Sequence, residues 1–268
     1  LLDLVYEDND LKITSAGRGT EVAIIVFAGI GLGFAAVPAE EFVSYGRGLG
    51  KARSFFVIDK NRTWYNAPGL YERVIERLQA EGIGSAAKRV LIGNSMGGFG
   101  AILFSSVLDA DAVLSLVPQF TINQTRVPEH ERWGGYIDKI STVRFEDLSA
   151  AFNQQSAYHI FHGTDLRDAR HAELFPMSDN IMHYLLHGRG MKHTVAQQFK
   201  RYEILGDVLD AGTYGRGDAV FDVVSRFFRT ELYRRGRVSA SSQRLFGLRR
   251  GTRDLVHLVR GKRKSSTR

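Results

Sequence analysis

The sequence predicts an α/β protein with a mostly parallel, doubly wound sheet, and three observations carry that prediction. Continuous apolar, β-branched runs at residues 21–27 and 54–58 read as strands covered on both faces. Strand and helix patterns alternate through most of residues 22–210, as parallel pairing with crossover helices requires. Each polar loop with reactive side chains follows a strand, on the edge where such a sheet carries its site.

In chain order, residues 1–13 read as one or two short strands about a turn at 7–10. Residues 21–27 form a buried strand, followed by a glycine-rich loop and a helix over about 38–45. The strand at 54–58 ends at Asp59 and opens into a polar, aromatic loop, 60–66. Residues 69–81 place Leu70, Val74, Ile75 and Leu78 on one helical face, and Gly82 to Gly84 end that helix. A strand at 89–92 leads into a helix reaching about residue 108, and residues 112–117 form another strand. The polar stretch 121–151, with Pro128, Trp133, Gly134 and Gly135, reads as a short insertion or lid between the sixth and seventh strands. Strands follow at 157–161 and 182–186, and helical patterns occupy 194–210 and 218–234. The expected organisation is one domain over 1–235, with that insertion, and a basic tail over 236–268.

Composition sets further bounds. With 268 residues, 44% of them hydrophobic, the chain suits one sizeable core. It has no cysteine, which excludes disulfides, thiolate metal sites and a cysteine nucleophile. No apolar run approaches the ~18 residues of a membrane span, and Leu1 to Glu7 lack a signal-peptide pattern. A cytoplasmic location is the resulting expectation. The formal charge of +7 is unevenly spread: twelve of the 36 Lys and Arg lie in residues 234–268 with one acid, Asp254. The rest carries 24 bases against 28 acids. The tail interleaves basic and apolar residues, as in Arg244-Leu245-Phe246-Gly247-Leu248-Arg249-Arg250. That pattern suits an anionic membrane surface, so a peripheral membrane association is carried as an expectation. A solvated or docked tail is the plainer alternative, and nucleic acid is not the expected partner.

The chemistry centres on Gly93-Asn94-Ser95-Met96-Gly97-Gly98, which follows an apolar strand and precedes a small, helix-compatible stretch. G-x-S-x-G in a strand–turn–helix context pushes the serine hydroxyl out at the top of a sheet, with glycines permitting close approach. A helix-capping serine is the alternative. Serine is a weak nucleophile without a base, and the base needs an orienting carboxylate. His193, in the loop after the last predicted strand, is best placed, with His187 and His162 as alternatives. The acid belongs in the loop after residues 158–161, which offers Asp165 and Asp168. The oxyanion donors are the amide of Met96 and one from the loop after the strand at 21–27, Gly29 or Ile30. That loop spells G-x-G-x-G rather than G-x-G-x-x-G, which weighs against a dinucleotide site. Trp64, Tyr65 and Asn66 follow a strand on the active edge and are expected to contact an acyl or sugar group, unless they pack on a neighbouring loop.

The elbow, the strand ending Phe27-Ala28-Gly29, the acid loop from His162-Gly163 to Asp168, and His193 together resemble the α/β-hydrolase fold family over roughly residues 20–210. The resemblance implies a Ser–Asp–His hydrolase with a backbone oxyanion hole and neither cofactor nor metal. Many members place the acid three residues after a His-Gly pair, where this chain has Leu166. Asp168, followed by Arg170-His171-Ala172, is similar to the acid loop of bacterial members linked to surface-polysaccharide loci, and this favours it over Asp165. Phe27-Ala28 stands where lipases often have His-Gly, so a small esterase or deacylase acting on a small-molecule or glycan acyl ester is expected rather than a classical lipase. An acyltransferase using the same three residues and a noncatalytic hydrolase-fold scaffold are the rival readings.

Overall fold

The computed structural model describes residues 2–31, 36–48, 50–128, 133–188, 191–215, 218–234 and 237–240. Most of the basic tail, with the membrane-surface expectation attached to it, lies outside the described residues. Among the described residues, no helix is long and apolar enough to cross a membrane.

The strands are β1 (Asp3–Glu7), β2 (Leu11–Ala16), β3 (Val22–Phe27), β4 (Ala52–Asp59), β5 (Lys88–Asn94), β6 (Ala112–Leu116), β7 (Ala157–Gly163), β8 (Ile181–His187), β9 (Arg229–Arg234) and β10 (Arg237–Ala240). They form one sheet in the order β1-β2-β4-β3-β5-β6-β7-β8-β9-β10. The six strands from β4 to β8 pair in parallel. Antiparallel pairs close both sides, β1 and β2 on one and β9 and β10 on the other.

The helices are α1 (Val43–Gly48), α2 (Leu70–Ala80), α3 (Met96–Leu103), α4 (Gly134–Ile137), α5 (Leu166–Ala172), α6 (Val195–Arg201), α7 (Leu205–Tyr214) and α8 (Ala219–Ser225). Burial on both faces explains the unbroken apolar runs. In β3, Ala23, Ile25 and Phe27 pack with Leu70, Val74 and Leu78 of α2 and Phe99 and Ile102 of α3. Val22, Ile24 and Val26 pack on the other face, with Leu209 of α7. The stripe on α2 was legible because its apolar residues recur at helical spacing.

Three expectations about elements need correction. The helical pattern over 218–234 splits: α8 stops at Ser225, and residues 229–234 become β9, paired antiparallel to β8 and buried at Thr230, Glu231 and Leu232. Strand pairing overrides the local preference there. The pattern over 194–210 is two helices, with Glu203 at φ 59° in the break between them. The helix expected over 38–45 starts only at Val43, leaving residues 37–41 without regular structure and Glu41 free to turn towards Gly29. The stretch 121–151 lies in the crossover from β6 to β7, and Trp133, Ile137, Ile140 and Phe145 pack against the core.

Candidate active site

Ser95 joins β5 to α3 with φ 57° and ψ −119°, a backbone conformation costly for any side chain and sustained only by its surroundings. Its N–H donates to Leu116 O at 2.8 Å. A Cβ on Gly93 would stand 2.0 Å from Gly97 O, and one on Gly97 would stand 2.0 Å from Phe27 O. The flanking glycines are therefore required by the convergence of β3, β5 and α3 at this turn.

The structure brings Asp168 and His193 to the serine. His193 Nε2 is 2.7 Å from Ser95 Oγ, and its Nδ1 is 2.8 Å from Asp168 Oδ1. A carboxylate only accepts, so Nδ1 carries the hydrogen and the Nε2 lone pair faces the serine hydroxyl. Asp168 is buried, while the His193 side chain is 16% exposed, at the edge of solvent.

Asp165 does not enter this line. It caps α5, accepting from Arg167 N–H at 3.2 Å, the plain role of an aspartate before a helix. The alternative bases are engaged elsewhere. His162 donates through Nε2 to Pro118 O at 3.0 Å, which leaves Nδ1 to accept from His183 Nε2 at 2.7 Å. Burial holds His162 neutral, its pKa pushed down to about 4, and likewise pushes His183 well below the usual imidazole range. His187 Nε2 lies 3.0 Å from Glu231 Oε1.

The expected oxyanion donors separate. The N–H groups of Met96 and Ile30 have no hydrogen-bond partner among the described residues. The Gly29 N–H, the other expected candidate, donates instead to Glu41 Oε2 at 3.2 Å. Glu41 also bonds the Asn94 side chain, and burial raises its carboxyl pKa to about 7 against those two hydrogen bonds. Arg62 fixes the same loop: Nε donates to Ile30 O at 2.9 Å, and the terminal nitrogens reach the carbonyls of Lys60 and Ala36.

Trp64, Tyr65 and Asn66 are packed inside and do not form an exposed surface for an acyl or sugar group, the second of the two readings the sequence left open. All three are buried, with exposures of 0%, 1% and 5%. The Tyr65 ring packs edge-on against Phe27 and Phe104. Asn66 accepts from the N–H groups of Arg144 and Phe145, tying the β6–β7 crossover to the loop after β4. That loop winds about buried Asp59, whose Oδ2 accepts from Thr63 N, Thr63 Oγ1 and Tyr65 N. Burial raises the Asp59 pKa.

One residue at the serine escaped the sequence reading. Gln119, three positions beyond β6, donates through Nε2 to Ser95 Oγ at 2.9 Å. Its only advance signal is position, in a loop on the active edge. Glu41 and Arg62 were missed likewise. Among the described residues, no group of three or more His, Asp and Glu side chains is arranged to hold a metal ion.

No protein-family model and no curated protein sequence matches the chain. Among solved structures it is similar to the capsule O-acetyltransferase of Neisseria meningitidis serogroup A, with TM-score 0.54 and 14% identity over 75% of this chain and 93% of that one. A histidine mutant of that acetyltransferase in complex with CoA gives TM-score 0.53 and 15% identity, over 76% and 94%. An alpha/beta superfamily hydrolase from Oenococcus oeni gives TM-score 0.47 and 15% identity, over 75% and 94%. At such identities the likeness is one of fold.

Proposed function

We propose that this chain, which has the α/β-hydrolase fold, is a serine enzyme that takes an acyl group from an ester or acyl amide onto Ser95 and passes it on. The observation that carries this reading is the hydrogen-bonded line from Asp168 through His193 to Ser95 Oγ, together with Met96 and Ile30 N–H groups that have no partner among the described residues.

In the first half-reaction, Ser95 Oγ bonds to the acyl carbon while its proton passes to His193 Nε2. Asp168 holds the imidazole in the tautomer that can accept that proton and stabilises the imidazolium. The developing oxyanion takes the N–H groups of Met96 and Ile30, donors that need no reorganisation at that moment. The bond to the leaving alcohol breaks as His193 returns the proton to it. In the second half, water gives a proton to His193 and its oxygen attacks the acyl-enzyme, releasing the carboxylic acid and restoring Ser95. This is the chemistry of an esterase or deacylase acting on a small-molecule or glycan acyl ester.

A second reading replaces water with a hydroxyl of an acceptor, so that the same residues transfer the acyl group. The likeness to a capsule O-acetyltransferase, which extends over nearly all of that enzyme, supports keeping it.

Fluorophosphonate labelling of the native protein and of Ser95→Ala tests the nucleophile. Labelling confined to the native protein is expected, and none in folded native protein overturns the reading in favour of a scaffold. Product analysis of a p-nitrophenyl acetate reaction with competing sugar hydroxyls then separates the fates: free acetate marks the hydrolase, and acetylated sugar the transferase.

A further inference from the structure

We infer that Gln119 is a catalytic residue of the Ser95 reaction, its amide N–H orienting the nucleophile and following the reacting oxygen into the transition state. The inference rests on the reading of Ser95 as nucleophile.

The orientation of the amide is fixed by its other end. Gln119 Oε1 accepts from Trp64 Nε1 at 3.3 Å. An indole N–H only donates, so the oxygen of the amide belongs there and the NH₂ faces Ser95. A serine hydroxyl has one hydrogen to give and rotates freely. With the Gln119 N–H on one lone pair, that hydrogen is directed to His193 Nε2, 2.7 Å away.

The backbone about Gln119 is held on every side. Val117 adopts φ 44°, a left-handed conformation that a β-branched residue keeps only where its surroundings impose it. Its N–H donates to Phe161 O at 2.7 Å. Pro118 O accepts from His162 Nε2, and Phe120 N–H donates to His171 Nδ1 at 3.1 Å. Gln119 itself is buried. The residues before and after it are thus pinned to two different histidines, and the side chain between them reaches the one oxygen that reacts.

The energetic consequence follows from charge. In the resting protein the bond is between neutral groups. As His193 takes the proton, Oγ gains negative character, and hydrogen bonds to a charged oxygen are about twice as strong as neutral ones. An interaction stronger in the transition state than in the ground state lowers the barrier. Gln119 therefore adds a side-chain donor at the nucleophile, apart from the backbone donors of the oxyanion.

The experiment is the second-order rate of fluorophosphonate labelling from pH 5 to 9 for native protein, Gln119→Leu, Gln119→Glu, Trp64→Phe and Trp64→Phe/Gln119→Leu, with thermal melts confirming folding. Gln119→Leu is expected to label about tenfold more slowly, the loss of one such hydrogen bond. In Gln119→Glu an ionised carboxylate competes with His193 for the serine hydrogen. The ratio of its rate to the native rate should rise on acidification, as the protonated acid regains a donor. Trp64→Phe should slow labelling several-fold, and the double variant should be no slower than Gln119→Leu alone. Gln119→Leu within twofold of native, or a pH-independent Gln119→Glu ratio, overturns the role of Gln119 while leaving Ser95 the nucleophile. Absent native labelling overturns the Ser95 reading itself, and this inference with it.

Discussion

Arg62 Nε donates to Ile30 O at 2.9 Å, tying the loop after β4 to the loop that carries the proposed oxyanion donor, the Ile30 N–H. Arg62 is 5% exposed, and its guanidinium spans three backbone carbonyls and lies 5.2 Å from the centre of the Tyr136 ring. A lysine ammonium is a point charge and cannot reproduce that fork. Arg62→Lys should lower kcat about tenfold or more with KM little changed, because the oxyanion forms only in the transition state. It should also cost about 2 kcal/mol of stability. Steady-state kinetics with p-nitrophenyl acetate and urea unfolding check both, and an unchanged kcat in folded variant would show that the loop holds without the clamp.

Asp168 and Asp165 separate by the effect of removing each. Asp168→Asn presents the wrong hydrogen-bonding partner to His193 Nδ1 and favours the unproductive tautomer, for which a kcat loss of about 10⁴ is expected. Asp165→Ala removes a helix cap, at about 1 kcal/mol, and should leave kcat within a factor of two. The reverse pattern would assign the acid to Asp165 and displace the arrangement described above.

Glu41 makes stability pH-dependent with a definite sign. Its carboxyl pKa is raised from 4.5 to about 7 in the folded protein, so the folded chain retains a proton that the unfolded chain loses between those values. This stability is fully present below pH 4.5 and is lost as pH rises through about 7. Glu41→Gln keeps an acceptor for the Gly29 N–H and does not titrate. Relative to native, the variant should gain about 2–3 kcal/mol between pH 4.5 and 8. Urea unfolding across that range measures the gap, and a gap that does not change with pH would exclude a half-buried, proton-bearing Glu41.

What was legible in the sequence was what short-range chemistry dictates. The turn at Ser95 needs glycines two residues away on either side because three chain segments meet there, and that need is visible in the spacing. The strand at β3 showed itself because both its faces are covered. Residues 229–234 misled because α8 runs almost directly into β9, and only pairing with β8 decides where helix gives way to strand. Gln119, Glu41 and Arg62 were hidden for a different reason. Each acts through atoms 24, 12 and 32 positions away, and no local pattern encodes which loop a side chain meets. The loop after β4 shows the same limit from the other side. Its aromatic residues carry the composition of a binding surface, yet their positive φ angles and the Asp59 hydrogen bonds turn them into the core.

Of the eight non-glycine residues with positive φ among the described residues, five, Arg62, Trp64, Tyr65, Ser95 and Val117, stand beyond the carboxyl ends of β4, β5 and β6. Each such residue holds free energy of order 1–3 kcal/mol above a relaxed backbone. At Ser95, whose side chain is small, glycine would release that free energy, whereas Arg62, Trp64, Tyr65 and Val117 are buried and would lose more in packing and hydrogen bonds than they gained. That one gain would come from the position of the proposed nucleophile itself. On the proposed reading, the substitution that relaxes this rim at the least packing cost is therefore the one that removes the nucleophile.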